Sequence, residues 1–166
     1  EIYSNYVECL KFRALCCSYL GESEKAIKDL DKIFELEREN IDHSFIGNVY
    51  NNAGYFDESI KYLNKAIEID PNNINAWFDR GESKLSLGKY EEAINDFDEV
   101  IKFEPRNDYA IFHRGQCKAS LKMHNDAIKD FSKAIKFQSK DADYFEKRGR
   151  SLYQLNKFQE AIKDFN

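Results

Sequence analysis

Residues 75–105 decide the fold; they read NAWFDRGESKLSLGKYEEAINDFDEVIKFEP. In the second half of this stretch Ala93, Phe97 and Val100 lie three or four residues apart, which is the spacing of one face of an α-helix. The first half shows a similar stripe around Trp77. Gly88 separates the two halves, and glycine suits a left-handed helix stop. The stretch therefore predicts a pair of helices joined by a short turn.

The same pattern recurs along the chain with a period of 34 residues. Residues 109–139 and 143–166 align with it without gaps, and earlier segments follow the same register, the first with one residue fewer. We predict a single domain, residues 1–166, made of five units. Their expected ranges are 7–39, 40–73, 74–107, 108–141 and an incomplete 142–166.

Small residues and helix stops repeat in register as well. The expected stops are Gly21, Gly54 and Gly88, with Lys122 and Asn156 in the last two units. Gly81, Gly115 and Gly149 recur on the first helices, where only a small residue would let two helix backbones approach closely. We therefore expect an all-α chain of stacked helical hairpins, each too small to bury its apolar face alone.

The composition argues against several classes of function. A net charge of −5 disfavours nucleic acid as a partner, because phosphates are bound by clustered Lys and Arg. No apolar stretch approaches the roughly 18 residues of a membrane span, so we expect no direct membrane insertion. The four cysteines show no zinc-site spacing, and we expect reduced thiols, no metal, no cofactor and a reducing, cytoplasmic location.

Catalysis is not expected either. His43, His113 and His124 stand apart from one another, and the sequence has no HExxH, no GxSxG and no glycine-rich phosphate loop. The many carboxylates alternate with lysines along the second helices, which is typical of a solvated helix face. We predict that the chain is not an enzyme.

The 34-residue period resembles the tetratricopeptide repeat, as do Trp77, Gly81, Tyr90, Phe97 and Pro105. The resemblance covers residues 7 to 166. It implies a right-handed α-α superhelical solenoid of about five TPR hairpins, in which the first helices line a concave groove that holds a peptide of a partner protein. We therefore expect a protein-binding adaptor or scaffold without a catalytic site.

One departure from the family pattern suggests ion pairs inside the repeats. Arginine stands where the family usually has an apolar residue before the small residue, and an aspartate follows sixteen residues later. The remaining unit has Ile46 with Tyr62, so charge occurs at both sites or at neither. The predicted structural pairs are Arg13 with Asp29, Arg80 with Asp96, Arg114 with Asp130, and Arg148 with Asp164.

The family geometry also implies which residues face the groove. The predicted peptide-binding residues are Phe45, Asn48, Asn52, Asn75, Phe78, Asp79, Tyr109, Phe112, His113, Gln116, Lys147 and Arg150. Phe78 and Phe112, one repeat apart, either form pockets for apolar anchors or close contacts between helices. The asparagines either grip a peptide backbone or are merely solvated.

A known branch of the family, co-chaperones that hold acidic chaperone tails, uses a carboxylate clamp of Lys, Asn, Asn, Lys and Arg. No register of this chain supplies that set; the first gives Lys11 and then Leu15, Phe45, Asn75 and Asp79. We predict no tight binding to such tails. An adaptor, a substrate-recognition arm of a larger enzyme and a self-associating scaffold all stay open.

The last helix supports the self-associating scaffold. It carries Ala161, Ile162 and Phe165 and then stops without the polar capping helix that usually ends such an array. We expect the chain to be a piece of a longer protein, and we expect self-association through this uncapped C-terminal repeat.

Overall fold

The computed structural model describes residues 2–37, 41–138 and 140–166. Helices and loops account for these three ranges, with no strand among them, which confirms the all-α prediction. The helices are α1 Ile2–Tyr19, α2 Ser23–Leu36, α3 His43–Asn52, α4 Phe56–Ile69, α5 Ile74–Ser86, α6 Tyr90–Phe103, α7 Asp108–Ser120, α8 His124–Phe137, α9 Ala142–Gln154 and α10 Phe158–Phe165. The expected boundary between the first two repeats, at residues 39 and 40, lies outside the described residues.

The helix stops are those that the sequence predicts. Gly21 and Gly88 have φ angles of 74° and 73°, in the left-handed region that glycine enters without strain. Lys122 and Asn156 adopt the same conformation, with φ angles of 62° and 59°. At these residues the first helix of a hairpin ends and the chain reverses direction into the second helix.

Side-chain caps define the starts of several first helices. Asp42 accepts a hydrogen bond from the backbone N–H of Phe45 at 3.0 Å, and Asn107 accepts one from Ala110 at 2.9 Å. These bonds satisfy N–H groups that have no partner within the helix. Helix α1 begins at Ile2, earlier than the expected start at residue 7, and no glycine or proline interrupts the segment between them.

The chain divides into two compact units, Glu1–Ser83 (unit 1) and Lys84–Asn166 (unit 2), and the boundary falls within α5. In unit 1 the core joins Leu10 and Ala14 of α1 to Leu30 of α2 and Val49 of α3. A Cβ atom on Gly47 would lie 2.4 Å from Leu63 Cγ, so α3 and α4 touch where a larger residue would clash.

In unit 2 the core is aromatic. Phe112 is only 6% exposed, and its ring centroid lies 4.4 Å from that of Tyr144 and 5.7 Å from that of Phe131. The three rings belong to α7, α8 and α9, so one hairpin and the next share a core. The arrangement follows from the repeat, because a lone hairpin could not cover these rings.

The structure also bears on membrane insertion. Among the described helices none combines the length and the apolar character that crossing a bilayer requires.

Candidate functional site

The structure brings three of the predicted Arg–Asp pairs into contact. Arg114 donates from Nε at 2.9 Å and from Nη2 at 2.5 Å to the two oxygens of Asp130. Arg148 makes the same bidentate contact with Asp164, at 2.8 and 2.5 Å. Arg13 makes it with Asp29, at 2.7 and 2.6 Å. The geometry suits the planar guanidinium, whose parallel N–H groups match a carboxylate.

The same arginines also reach backward along the chain, which the sequence interpretation missed. Arg114 Nη1 donates to Asp98 Oδ1 at 2.6 Å, sixteen residues earlier, and Arg148 Nη1 donates to Ser132 Oγ at 3.2 Å. In unit 1 Arg80 Nη1 donates to Asn64 Oδ1 at 2.7 Å. These arginines therefore tie one hairpin to the preceding one.

Arg80 and Asp96 belong to different units, and the fourth predicted pair stays a prediction. Within unit 2, Asp96 accepts from Lys84 Nζ at 2.9 Å and is almost fully buried. The exception in the sequence, Ile46, is buried in the apolar core, and Tyr62 stacks on Tyr50 with centroids 5.5 Å apart.

Several predicted groove residues of unit 1 line one open cleft of about 460 Å³, the unit 1 cleft. Helices α1, α3 and α5 and the turns before α3 and α5 form it. Its lining residues are Leu15, Asp42, Ser44, Phe45, Asn48, Asn73, Asn75 and Asp79. Amides and carboxylates dominate, and neither lysine nor arginine is among the lining residues.

A hydrogen-bonded row of three side chains includes two lining residues of the unit 1 cleft, Asn48 and Asp79, and one residue outside it, Asn52. Asn52 Nδ2 donates to Asn48 Oδ1 at 3.0 Å, and Asn48 Nδ2 donates to Asp79 Oδ2 at 2.9 Å. Next to this row Asn51 Nδ2 donates to Glu82 Oε2 at 3.3 Å and accepts from Ser83 Oγ at 2.8 Å. Hydrogen bonds to neighbouring side chains thus orient these asparagines.

Burial changes the acidity of the two carboxyl groups in these rows. Loss of solvent around Asp79 raises its pKa to about 6, although the hydrogen bond from Asn48 opposes the change. Burial, and then the nearby charge of Asp79, raise the pKa of Glu82 to about 7. At neutral pH the surface therefore carries negative charge that water solvates poorly.

In unit 2 a second cleft of about 370 Å³, the unit 2 cleft, includes the predicted residues Gln116, Lys147 and Arg150. Arg150 Nη2 pairs with Glu146 Oε1 at 2.6 Å, and Lys147 Nζ lies 3.9 Å from Glu146 Oε2. The other lining residues are Leu85, Tyr90, Ala119, Ser120, His124, Phe131, Ser151 and Gln154. Three of these, Tyr90, His124 and Phe131, come from second helices, which the groove prediction did not include.

The remaining predicted residues are placed differently. Of the two interpretations of Phe112, a pocket for an apolar anchor or a contact between helices, the structure favours the second, because Phe131 of α8 and Tyr144 of α9 pack on its buried ring. His113 stacks on Phe97 at 5.7 Å, and burial lowers its pKa. Tyr109 is 59% exposed, and Phe78 is half-buried outside both clefts.

The sequence interpretation missed Asp42 and Asn73 as cleft residues. Both cap first helices, and Asn73 Oδ1 accepts from the backbone N–H of Ala76 at 3.0 Å. The capping pattern was a usable signal, because the side chain of a helix N-cap stands at the helix end that borders the cleft.

Comparison with known families agrees with this architecture. A TPR repeat model matches residues 47–88, and two tetratricopeptide repeat models match residues 74–107 and 109–141. Together they match more than half of the chain. The chain belongs to the tetratricopeptide repeat family. No curated protein matches it in sequence.

Solved structures share the tetratricopeptide fold with this chain. The structure of MamA, residue 41 to the end, from Desulfovibrio magneticus RS-1 has a TM-score of 0.83 at 18% identity, over 96% of this chain and 90% of that chain. MamA MSR-1 has a TM-score of 0.77 at 19% identity, over 96% and 92%. MamA AMB-1 has a TM-score of 0.75 at 19% identity, over 99% and 96%. These likenesses establish the fold.

Membership of the family fixes the broad class of the protein. Tetratricopeptide repeats imply protein partners, and the chain is a protein-interaction scaffold. Among the described residues no three His, Cys, Asp or Glu side chains are grouped as a metal site would need.

Proposed function

We propose that the chain binds an extended segment of a partner protein in the unit 1 cleft and acts as an adaptor or scaffold. The observation that supports this most directly is convergence: side chains from α1, α3 and α5, three consecutive first helices, border one open cleft. A peptide lying there would cross successive repeats without requiring the protein to fold around it.

The lining of the unit 1 cleft suits a peptide backbone. Asparagine side chains carry both donors and acceptors, and the row from Asn52 to Asp79 holds them in place. Leu15 and Phe45 add half-buried apolar surface at the same cleft, where an apolar side chain of the partner can pack. A cleft of this kind combines backbone recognition with one apolar contact.

A tail rich in carboxylates would bind poorly at this place. Asp42 and Asp79 line the unit 1 cleft, and an acidic peptide would meet like charge there. We therefore propose that this chain does not act as a carboxylate-clamp co-chaperone. Calorimetry with an acidic C-terminal peptide should detect no binding in the low micromolar range.

The groove proposal is tested by peptide selection on the full chain. Asn75 is exposed at the edge of the unit 1 cleft, and Asn75→Trp should fill the cleft without disturbing the core. Glu68→Trp, at an exposed position of α4, is the matched control. Peptides enriched on the natural chain should bind Asn75→Trp at least about tenfold more weakly and the control unchanged. Enrichment of no peptide, or equal binding to all three proteins, would contradict the proposal.

A second surface favours self-association. On α10 Phe158, Ile162 and Phe165 are 48%, 52% and 52% exposed, whereas Phe131, which occupies the position of Phe165 in the preceding repeat, is fully buried. Near Phe165 an open cleft of about 490 Å³ also includes Phe145 of α9. Apolar surface of this kind is typical of contact sites, and we propose that a second copy packs on it.

The self-association proposal has its own test. Ile162→Glu places a charge on the exposed face and leaves the buried Ala161 in place. Sedimentation of the natural chain at tens of micromolar should show a dimer, and the variant should be monomeric. A monomeric natural chain would exclude this role in solution.

A further inference from the structure

Among the residues that the structure describes, four aspartates are buried, and three of them have a cation beside them. These pairs are Asp29 with Arg13, Asp96 with Lys84, and Asp130 with Arg114 and Lys118. The fourth, Asp79, is 9% exposed and forms no ion pair with any residue that the structure describes. Cations of the chain therefore neutralise every buried aspartate that the structure describes except Asp79.

The surroundings of Asp79 do not compensate for the missing cation. In the described part of the chain its carboxylate accepts one hydrogen bond, from Asn48 Nδ2 at 2.9 Å to Oδ2. One neutral donor satisfies a small part of what a carboxylate accepts, since its two oxygens offer about four acceptor sites. A buried charge without a counter-charge is unfavourable, so the position gains from any cation that arrives.

Asp79 lies where such a cation can arrive. It lines the unit 1 cleft, which is open and holds about 460 Å³, enough for a long side chain. Asp42 contributes a second carboxylate to the same cleft. Leu15 and Phe45 are half-buried in its wall and can pack against the methylene stem of a lysine or arginine.

We infer that the unit 1 cleft receives a lysine or arginine side chain of the partner segment and that Asp79 is its acceptor. The inference rests on the proposed function and names the chemistry of the partner: a basic, extended segment. The three pairs inside the repeats show how this protein neutralises a buried aspartate with its own cations, and the partner supplies the fourth cation.

Two other occupants fit less well. An anionic ligand would face Asp42 and Asp79 with no lysine or arginine among the cleft residues. A metal ion would need further oxygen, nitrogen or sulfur ligands, and the residues described here provide no group of three His, Cys, Asp or Glu at this place. A single charged side chain needs only one carboxylate and a few amide acceptors.

The experiment uses a random twelve-residue peptide library displayed on phage and selected on the full chain. The natural chain, Asp79→Asn and Asp31→Asn are then compared by fluorescence anisotropy with the selected peptides. Asp31 is exposed on α2 away from the unit 1 cleft, so its variant controls for the change in net charge. Each peptide is also made with its shared basic residue replaced by acetyl-lysine.

We expect the selected peptides to share a lysine or arginine at one position. Acetyl-lysine there should weaken binding to the natural chain by about tenfold or more and to Asp79→Asn by less than about twofold. Asp31→Asn should behave as the natural chain does. Circular dichroism should show that Asp79→Asn is folded, so that a loss of binding is not a loss of structure.

The outcomes separate the two proposals. Selected peptides that Asn75→Trp excludes but that share no basic residue would overturn this inference and leave the proposed groove function standing. Equal binding of the basic peptides to Asp79→Asn and to the natural chain would overturn it as well. An empty selection would overturn the groove function and this inference together.

Discussion

Asn48 and Asp79, on α3 and α5, share one hydrogen bond of 2.9 Å, and Asp79 has no other partner among the described residues. The bond joins two successive first helices, and both residues line the unit 1 cleft. Arginines also join hairpins: Arg80 does so between the same two hairpins, and Arg114 and Arg148 do so later in the chain. The bond of Asn48 to Asp79 differs from these contacts because its charged member is a buried carboxylate without a cation.

The first prediction concerns pH. Burial holds the pKa of Asp79 at about 6, above its ordinary value of 3.8, so the folded chain keeps a proton that the unfolded chain has lost. The free energy of unfolding should therefore fall as the pH rises from about 4 to about 6. Asp42, which lines the same cleft, and Glu82 on α5, which senses the charge of Asp79, are both acidic, so neither stabilises the charged form of Asp79.

Asp79→Asn should remove the part of this dependence that Asp79 contributes, while Glu82, whose pKa is raised to about 7, should still make the free energy of unfolding fall up to about pH 7. The amide oxygen can still accept from Asn48, and no charge is buried, so the free energy of unfolding at pH 7 should rise by about 1 to 3 kcal/mol. Asp42→Asn is the control, because asparagine caps a helix equally well and Asp42 is exposed. Urea titrations at pH 4, 6 and 7.5 measure both variants; a less stable Asp79→Asn at pH 7.5 would refute the argument.

The second prediction ranks the ion pairs. Asp130 accepts from Arg114 and from Lys118 Nζ at 2.6 Å, and all three side chains are largely buried. Asp130→Asn should lower the free energy of unfolding by about 3 kcal/mol, since the largely buried Lys118 loses its counter-charge and Arg114 keeps only Asp98.

Asp29→Asn should lower the free energy of unfolding by clearly less than Asp130→Asn does. Its partner Arg13 is 65% exposed, so water can solvate the guanidinium once the pair is broken. Thermal unfolding followed by circular dichroism compares the two variants in the same buffer. Equal losses would mean that exposure of the arginine does not decide the strength of the pair.

The third prediction concerns the close approach of helices. A Cβ atom on Gly115 would lie 2.8 Å from Phe131 Cε1, and that ring is fully buried and cannot move aside. Gly115→Ala should therefore destabilise the chain by about 1 to 2 kcal/mol, after the helix propensity of alanine is allowed for. Denaturant titration measures the change.

Gly149→Ala is the matched comparison. Its Cβ would lie 2.6 Å from Phe165 Cε1, but Phe165 is 52% exposed and can rotate away. The stability should change by less than about 0.5 kcal/mol, because the gain in helix propensity offsets the shift. A larger loss here than at Gly115 would show that the mobility of the neighbouring ring is not the deciding factor.

The fourth prediction concerns the helix stop at Lys122, a non-glycine residue with a φ angle of 62°. A side chain in the left-handed region costs about 1 kcal/mol, so Lys122→Gly should stabilise the chain by about 0.5 to 1 kcal/mol. Asn156→Gly should stabilise the chain less than Lys122→Gly, because asparagine tolerates this backbone conformation better than lysine does. The reverse change, Gly88→Ala, should destabilise by a similar amount, and a melting-temperature series checks all three.

Local signals explain why much of the fold could be predicted. Helix stops depend on one residue and its backbone conformation, and Gly21 and Gly88 show the left-handed φ that their position in the repeat requires. The hairpin order follows from the period, which is visible as soon as Gly115 and Gly149 are aligned. The contact of Arg114 with Asp130 also follows a fixed spacing, since both residues lie within one hairpin.

The sequence alone therefore determined the helices, their pairing into repeats and the family, because these depend on contacts near in the chain. The tertiary structure decided what depends on neighbouring hairpins. Periodicity places Phe112 on a helix face, but only the packing of Tyr144 across it shows that the face is covered. The same holds for Asp79: its charge is evident in the sequence, whereas its burial without a cation arises from α3 lying against α5, and no local pattern encodes that distance.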